Sequence, residues 1–107
     1  FSLAQKARTL MPESPAAADT LGWAYYHKKD NAAAIELLDE ASKQVPREPT
    51  VRYHLGAALV AAGRTEDARA ELVKALELSS TFADADKAEA LLKGLPDASS
   101  LPGSVSK

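Results

Sequence analysis

The chain has 107 residues, a formal net charge of −2 and a pI near 5.7, which leaves no basic excess for a nucleic-acid surface. It has no cysteine, so disulfides and thiolate sites are excluded, and no apolar run nears the roughly 20 residues of a membrane-spanning helix. Alanine (22 residues) and leucine (14 residues) dominate and β-branched residues are few, which favours helices packed at close range.

The first predicted element is a short helix over Ser2 to Met11, with Leu3, Ala7 and Leu10 at helical spacing. Pro12 and Pro15 bracket a turn. Ser14 is the expected N-cap of a helix from Pro15 to about Lys29, and Lys28 and Lys29 suit its negative end. Asp30-Asn31 makes the next turn and cap, and a helix follows from Ala32 to about Val45. Pro46 to Pro49 is a rigid corner. The next helix runs from Pro49 to Ala62, with Gly63 as its left-handed stop. Thr65 is the expected cap of a helix from Glu66 to Leu78. Thr81 and Asp84 have capping-box spacing, which opens a last helix from about Phe82 to Lys93, ended by Gly94. The segment from Leu95 to Lys107 is rich in proline and serine and is expected to be disordered.

A period of 34 residues runs through this pattern. Leu21-Gly22 returns as Leu55-Gly56, Ala34, Leu38 and Ala41 return as Ala68, Leu72 and Ala75, and Pro15 returns as Pro49. A fixed period of this kind marks a stacked-helix array. Gly22 and Gly56 are assigned to close helix crossings, faced by Ala34 and Ala68. A larger residue at Ala34 or Ala68 should overpack the crossing at a cost of about 1–3 kcal/mol. Ala41 and Ala75 leave room for the next repeat.

With Tyr25 and Pro46, these residues resemble the tetratricopeptide repeat pattern Trp-x2-Leu-Gly-x2-Tyr, then Ala-x3-Phe-x2-Ala, then Pro. Leu38 and Leu72 replace its Phe, Leu59 replaces its second Tyr, Ala18 and Arg52 hold its Trp position, and Ser80 holds the second closing Pro. The resemblance implies an all-α, right-handed superhelical array of antiparallel helix pairs with about six helices. Its parts are residues 1–14 as the second half of a preceding repeat, two repeats over 15–48 and 49–82, a capping helix over 83–94 and the tail over 95–107. By the same phasing the chain reads as the C-terminal part of a longer protein, and its wording is similar to bacterial tetratricopeptide proteins, some linked to exopolysaccharide production and envelope sorting. The bacterial cytoplasm and the cell envelope both remain open as locations.

In that family the first helix of each repeat lines a concave groove. Carried over, the groove positions are Ala16, Asp19, Trp23, Tyr26 and His27, then Thr50, Tyr53, Ala57, Val60 and Ala61, with Asp84, Lys87 and Leu91 from the last helix. Asp19, Trp23, Tyr26, His27, Thr50, Tyr53, Ala57 and Lys87 are the expected partner-binding set. Trp23, Tyr26 and Tyr53 are half of the six aromatics in the chain, and such residues favour binding hot spots. A carboxylate clamp of paired Lys and Asn is disfavoured, because those positions carry Asp19, Trp23 and His54.

His27 and His54 lie on different helices without a further His or Cys, so no metal site is expected. They read as solvated or groove-lining histidines. Glu36, Asp39, Glu40 and Lys43 read as a solvated helix face rather than catalytic carboxylates. No nucleophile–base set or phosphate loop stands out, so neither enzymatic activity nor a cofactor is expected. The leading expectation is a scaffold that binds a protein or peptide segment in its concave groove, without nucleic-acid binding or membrane insertion. The alternative is self-assembly, with a homodimer formed through the uncapped apolar surface of Leu3, Ala7 and Leu10.

Overall fold

The computed structural model describes residues 14–95. Five helices occupy them: α1 (Pro15–His27), α2 (Asn31–Gln44), α3 (Pro49–Ala61), α4 (Thr65–Leu78) and α5 (Ala85–Gly94). The helix expected over Ser2 to Met11 and the tail beyond Leu95 lie outside the described residues. So does the apolar surface on which the self-assembly alternative rests. Leu95 itself is partly buried and packs on the core.

Local chemistry sets most boundaries. Ser14 takes an extended backbone and its Oγ accepts the Ala17 N–H at 3.2 Å, while Pro15 fills the first helical position. Asp30 caps α2 by accepting the Ala33 N–H at 3.3 Å. Both α1 and α3 end in the same way. After α1, the Lys29 N–H donates to the Tyr26 carbonyl and the Asp30 N–H to the Tyr25 carbonyl, both at 2.9 Å. After α3, the Gly63 N–H donates to Val60 at 3.0 Å and the Arg64 N–H to Leu59 at 2.9 Å. This double closure needs a left-handed residue, and Lys29 (φ 67°) and Gly63 (φ 80°) supply it.

Three ends differ from the expectation. α1 stops at His27, because Lys28 is the half-in residue and Lys29 turns left-handed. Thr65 is the first residue of α4 rather than its cap. The backbone closure on Leu59 puts Arg64 in the cap position, where no side-chain cap bond forms and the guanidinium instead binds Asp67 at 2.7 Å. The capping box of Thr81 and Asp84 does not form. The Thr81 N–H donates to Ser79 Oγ at 3.2 Å, Ala85 donates to the Phe82 carbonyl at 2.9 Å, and α5 starts only at Ala85.

Packing follows the period. α1 pairs with α2, α3 with α4, α2 meets α3, and α4 meets α5. Within each repeat the crossing is held by a glycine against a fully buried leucine: Gly22 against Leu38, and Gly56 against Leu72. Ala18, Ala41 and Val51 form the joint between the repeats, and Tyr53, Leu72, Ala75 and Ala88 form the joint to α5. The first helices also touch each other, α1 with α3 and α3 with α5, and so form one continuous inner face. Among the described residues no helix is long and apolar enough to cross a membrane.

Candidate functional site

The inner face is built from α1, α3 and α5. Residues 3, 4 and 7 apart share one side of a helix, so Asp19, Trp23, Tyr26 and His27 follow one another along α1. The structure gathers the aromatic part of the expected set into one cluster. Trp23 stacks on Tyr26 with ring centroids 4.5 Å apart and planes within 5°. It stacks on His54 of α3 at 3.9 Å. Two rings cannot share one face of an indole at those separations, so Trp23 lies between them. His27 meets the Trp23 edge at 4.9 Å and Tyr53 tilts against Trp23 at 5.8 Å.

The exposed parts of this cluster differ from residue to residue. Trp23 and Tyr26 are half-buried and His27 is exposed. Tyr53 and Ala57 are buried and serve mainly as packing under the face. Thr50 is half-buried near one end, and Lys87 is exposed on α5, 3.7 Å from Asp84. The Tyr53 phenol titrates above the ordinary tyrosine value. Burial is the main cause, followed by the negative charge of Asp84 and by Tyr26.

Sequence reasoning did not foresee the bond between Asp19 and His54. His54 Nδ1 lies 2.7 Å from Asp19 Oδ1. A carboxylate only accepts, so Nδ1 carries the hydrogen and donates it. His54 is 8% exposed and therefore packs inside the inner face instead of lying in solvent. The only sequence hint is the spacing of 35, one more than the repeat, which sets His54 one place beyond the equivalent of Asp19. A second unforeseen pair is Arg52–Glu71 at 2.8 Å, with both side chains mostly buried. Arg52 also donates to the Pro46 carbonyl at 3.2 Å, so this departure from the Trp position ties α3 to α4 and to the preceding turn. The Asp39–Lys43 pair forms at 3.1 Å on the outer face, exposed as expected for a solvated helix.

Among the described residues no group of three or more His, Cys, Asp or Glu comes together to hold a metal. What the arrangement offers is a pre-packed aromatic surface with a cleft at each end. One cleft, about 410 Å³, is lined by Tyr26, His27, Lys29, Asn31 and Ala61. The other, about 330 Å³, lies among Pro15, Ala16, Asp19, Val45, Glu48, Thr50 and Val51.

Two family models described as tetratricopeptide repeat match the chain, one over residues 27–78 and one over residues 3–49. Together they span residues 3–78. No curated protein matches the chain.

Proposed function

Because the chain belongs to the tetratricopeptide repeat family, whose repeats mediate protein–protein interaction, we propose that its concave face binds a peptide or protein segment. The observation that carries this reading is the aromatic cluster of Trp23, Tyr26, His27, Tyr53 and His54 across α1 and α3. Ring contacts fix these side chains before any partner arrives. A fixed anchor loses little rotamer freedom on binding, where a mobile side chain costs about 0.5–1.5 kcal/mol to order. The half-buried Trp23 and Tyr26 keep apolar area and polar tips for a ligand, which suits hot-spot residues.

The family is typically a non-catalytic interaction module. The site holds rings, one partly buried carboxylate–imidazole bond and open clefts. An extended or helical segment with apolar anchors fits such a surface.

The test uses the intact chain as bait to capture a partner, followed by quantitative binding of the captured segment. His27→Glu with Lys87→Glu changes only exposed groove positions, and Trp23→Ala removes the central ring. The reading predicts at least tenfold weaker binding for each variant, with helix content retained by circular dichroism. Unchanged affinity in folded variants of both kinds would overturn it.

A further inference from the structure

The cleft at the start of α1 and α3 has a chemistry of its own. Its apolar walls are Pro15, Ala16, Val45 and Val51. Its charged lining residues are Asp19 and Glu48, both acidic. Asp19 commits one carboxylate oxygen, Oδ1, to His54. Glu48 is exposed and makes no side-chain capping bond. Helix N-termini ordinarily attract anions, but the donors here are reduced by a proline at both and partly used at α1. Both helices open with proline, which brings no N–H, and the Ala17 N–H is already taken by Ser14 Oγ.

From this charge and shape we propose that the cleft receives a lysine or arginine side chain of the bound segment. The apolar walls take the methylene stem, and Asp19 and Glu48 meet the cationic head. Ala16, Asp19 and Thr50 belong both to this cleft and to the groove stripe, so the basic residue docks at one end of the groove while the aromatic cluster holds the next anchors. This proposal rests on the groove reading and adds the chemistry of one anchor.

The probe is a random dodecapeptide library displayed on phage and selected against the 107-residue chain. Selected sequences should share a lysine or arginine near an aromatic or aliphatic anchor. In synthetic copies, replacing that residue by norleucine or citrulline keeps the stem and removes the charge, and should weaken binding about two- to fivefold. Glu48→Gln should weaken the basic peptide by a similar factor and leave the neutral copy unchanged. Asp19→Asn should add to it, and raised salt should reduce the preference. Binders that depend on Trp23 but carry acidic or neutral residues, or ignore Glu48→Gln and Asp19→Asn, would overturn the basic anchor and leave the groove reading intact. Binders indifferent to Trp23→Ala would remove the groove reading and this proposal together. A library without any binder would also count against the proposal.

Discussion

Gly22 and Leu38 fill one space between them: a Cβ on Gly22 would lie 2.7 Å from Leu38 Cγ and 3.3 Å from the Ala34 carbonyl oxygen. Gly56 repeats the relationship, 2.8 Å from Leu72 Cγ. Both leucines are fully buried, so neither can swing aside freely. Gly22→Ala gains about 1 kcal/mol of helix propensity and meets an overpacking cost of about 1–3 kcal/mol. The net result should be a loss of stability in urea unfolding. Leu38→Ala alone should lose about 2–5 kcal/mol. The double variant should lose clearly less than the sum, because each change makes room for the other. Strict additivity would show that the two residues do not share the space.

The turns after α1 and α3 have one backbone path and complementary flaws. The first has Lys29 in the left-handed position and a working Asp30 cap, while the second has Gly63 there and Arg64 without a cap bond. Lys29→Gly should therefore stabilise the chain by about 1 kcal/mol, and Arg64→Ser by about 0.5–1 kcal/mol. Gly63→Ala should destabilise it, since nothing crowds that position except its own φ. Thermal unfolding of the three variants checks the signs.

Arg52 and Glu71 are a mostly buried pair whose separation of one partner leaves a charge without compensation. Arg52→Ala and Glu71→Ala should each cost about 1–3 kcal/mol. Lys43→Ala on the exposed Asp39–Lys43 pair should cost less than about 0.5 kcal/mol. Denaturant midpoints of the three variants measure this contrast, and equal losses would contradict it.

Tyr53 gives the fold a pH dependence at its alkaline edge. Its folded pKa is raised above the unfolded value of about 10, chiefly by burial and then by Asp84 and Tyr26. The unfolded chain then ionises first. The contribution is complete below about pH 10 and is lost as pH rises through the folded value. Absorbance titration should show a late tyrosine step that Tyr53→Phe removes. Stability between pH 9 and 11 should fall less in that variant than in the parent.

The helix pairs were legible because small residues at the crossings repeat in register. Gly22 with Ala34 and Gly56 with Ala68 mark contacts that only small side chains permit. Caps were less legible. Thr65 and Thr81 have good capping chemistry, but backbone closure after α3 and the Phe82 turn claimed the positions first. The inner face was legible as a stripe, yet the stripe does not say which residues sink. Tyr53 and His54 are adjacent in sequence and both buried, and His54 is held by an aspartate 35 residues away. A pair joined across two repeats leaves little trace in either repeat alone.

Amide and indole chemical-shift mapping of the labelled chain, titrated with its captured partner segment, tests the concave groove most directly. Large shifts are expected at the Trp23 indole, His27, Thr50 and Lys87, with Glu36, Lys43 and Lys74 on the outer helices unmoved. Shifts confined to the outer helices, with the Trp23 indole unchanged at saturation, would contradict the groove reading.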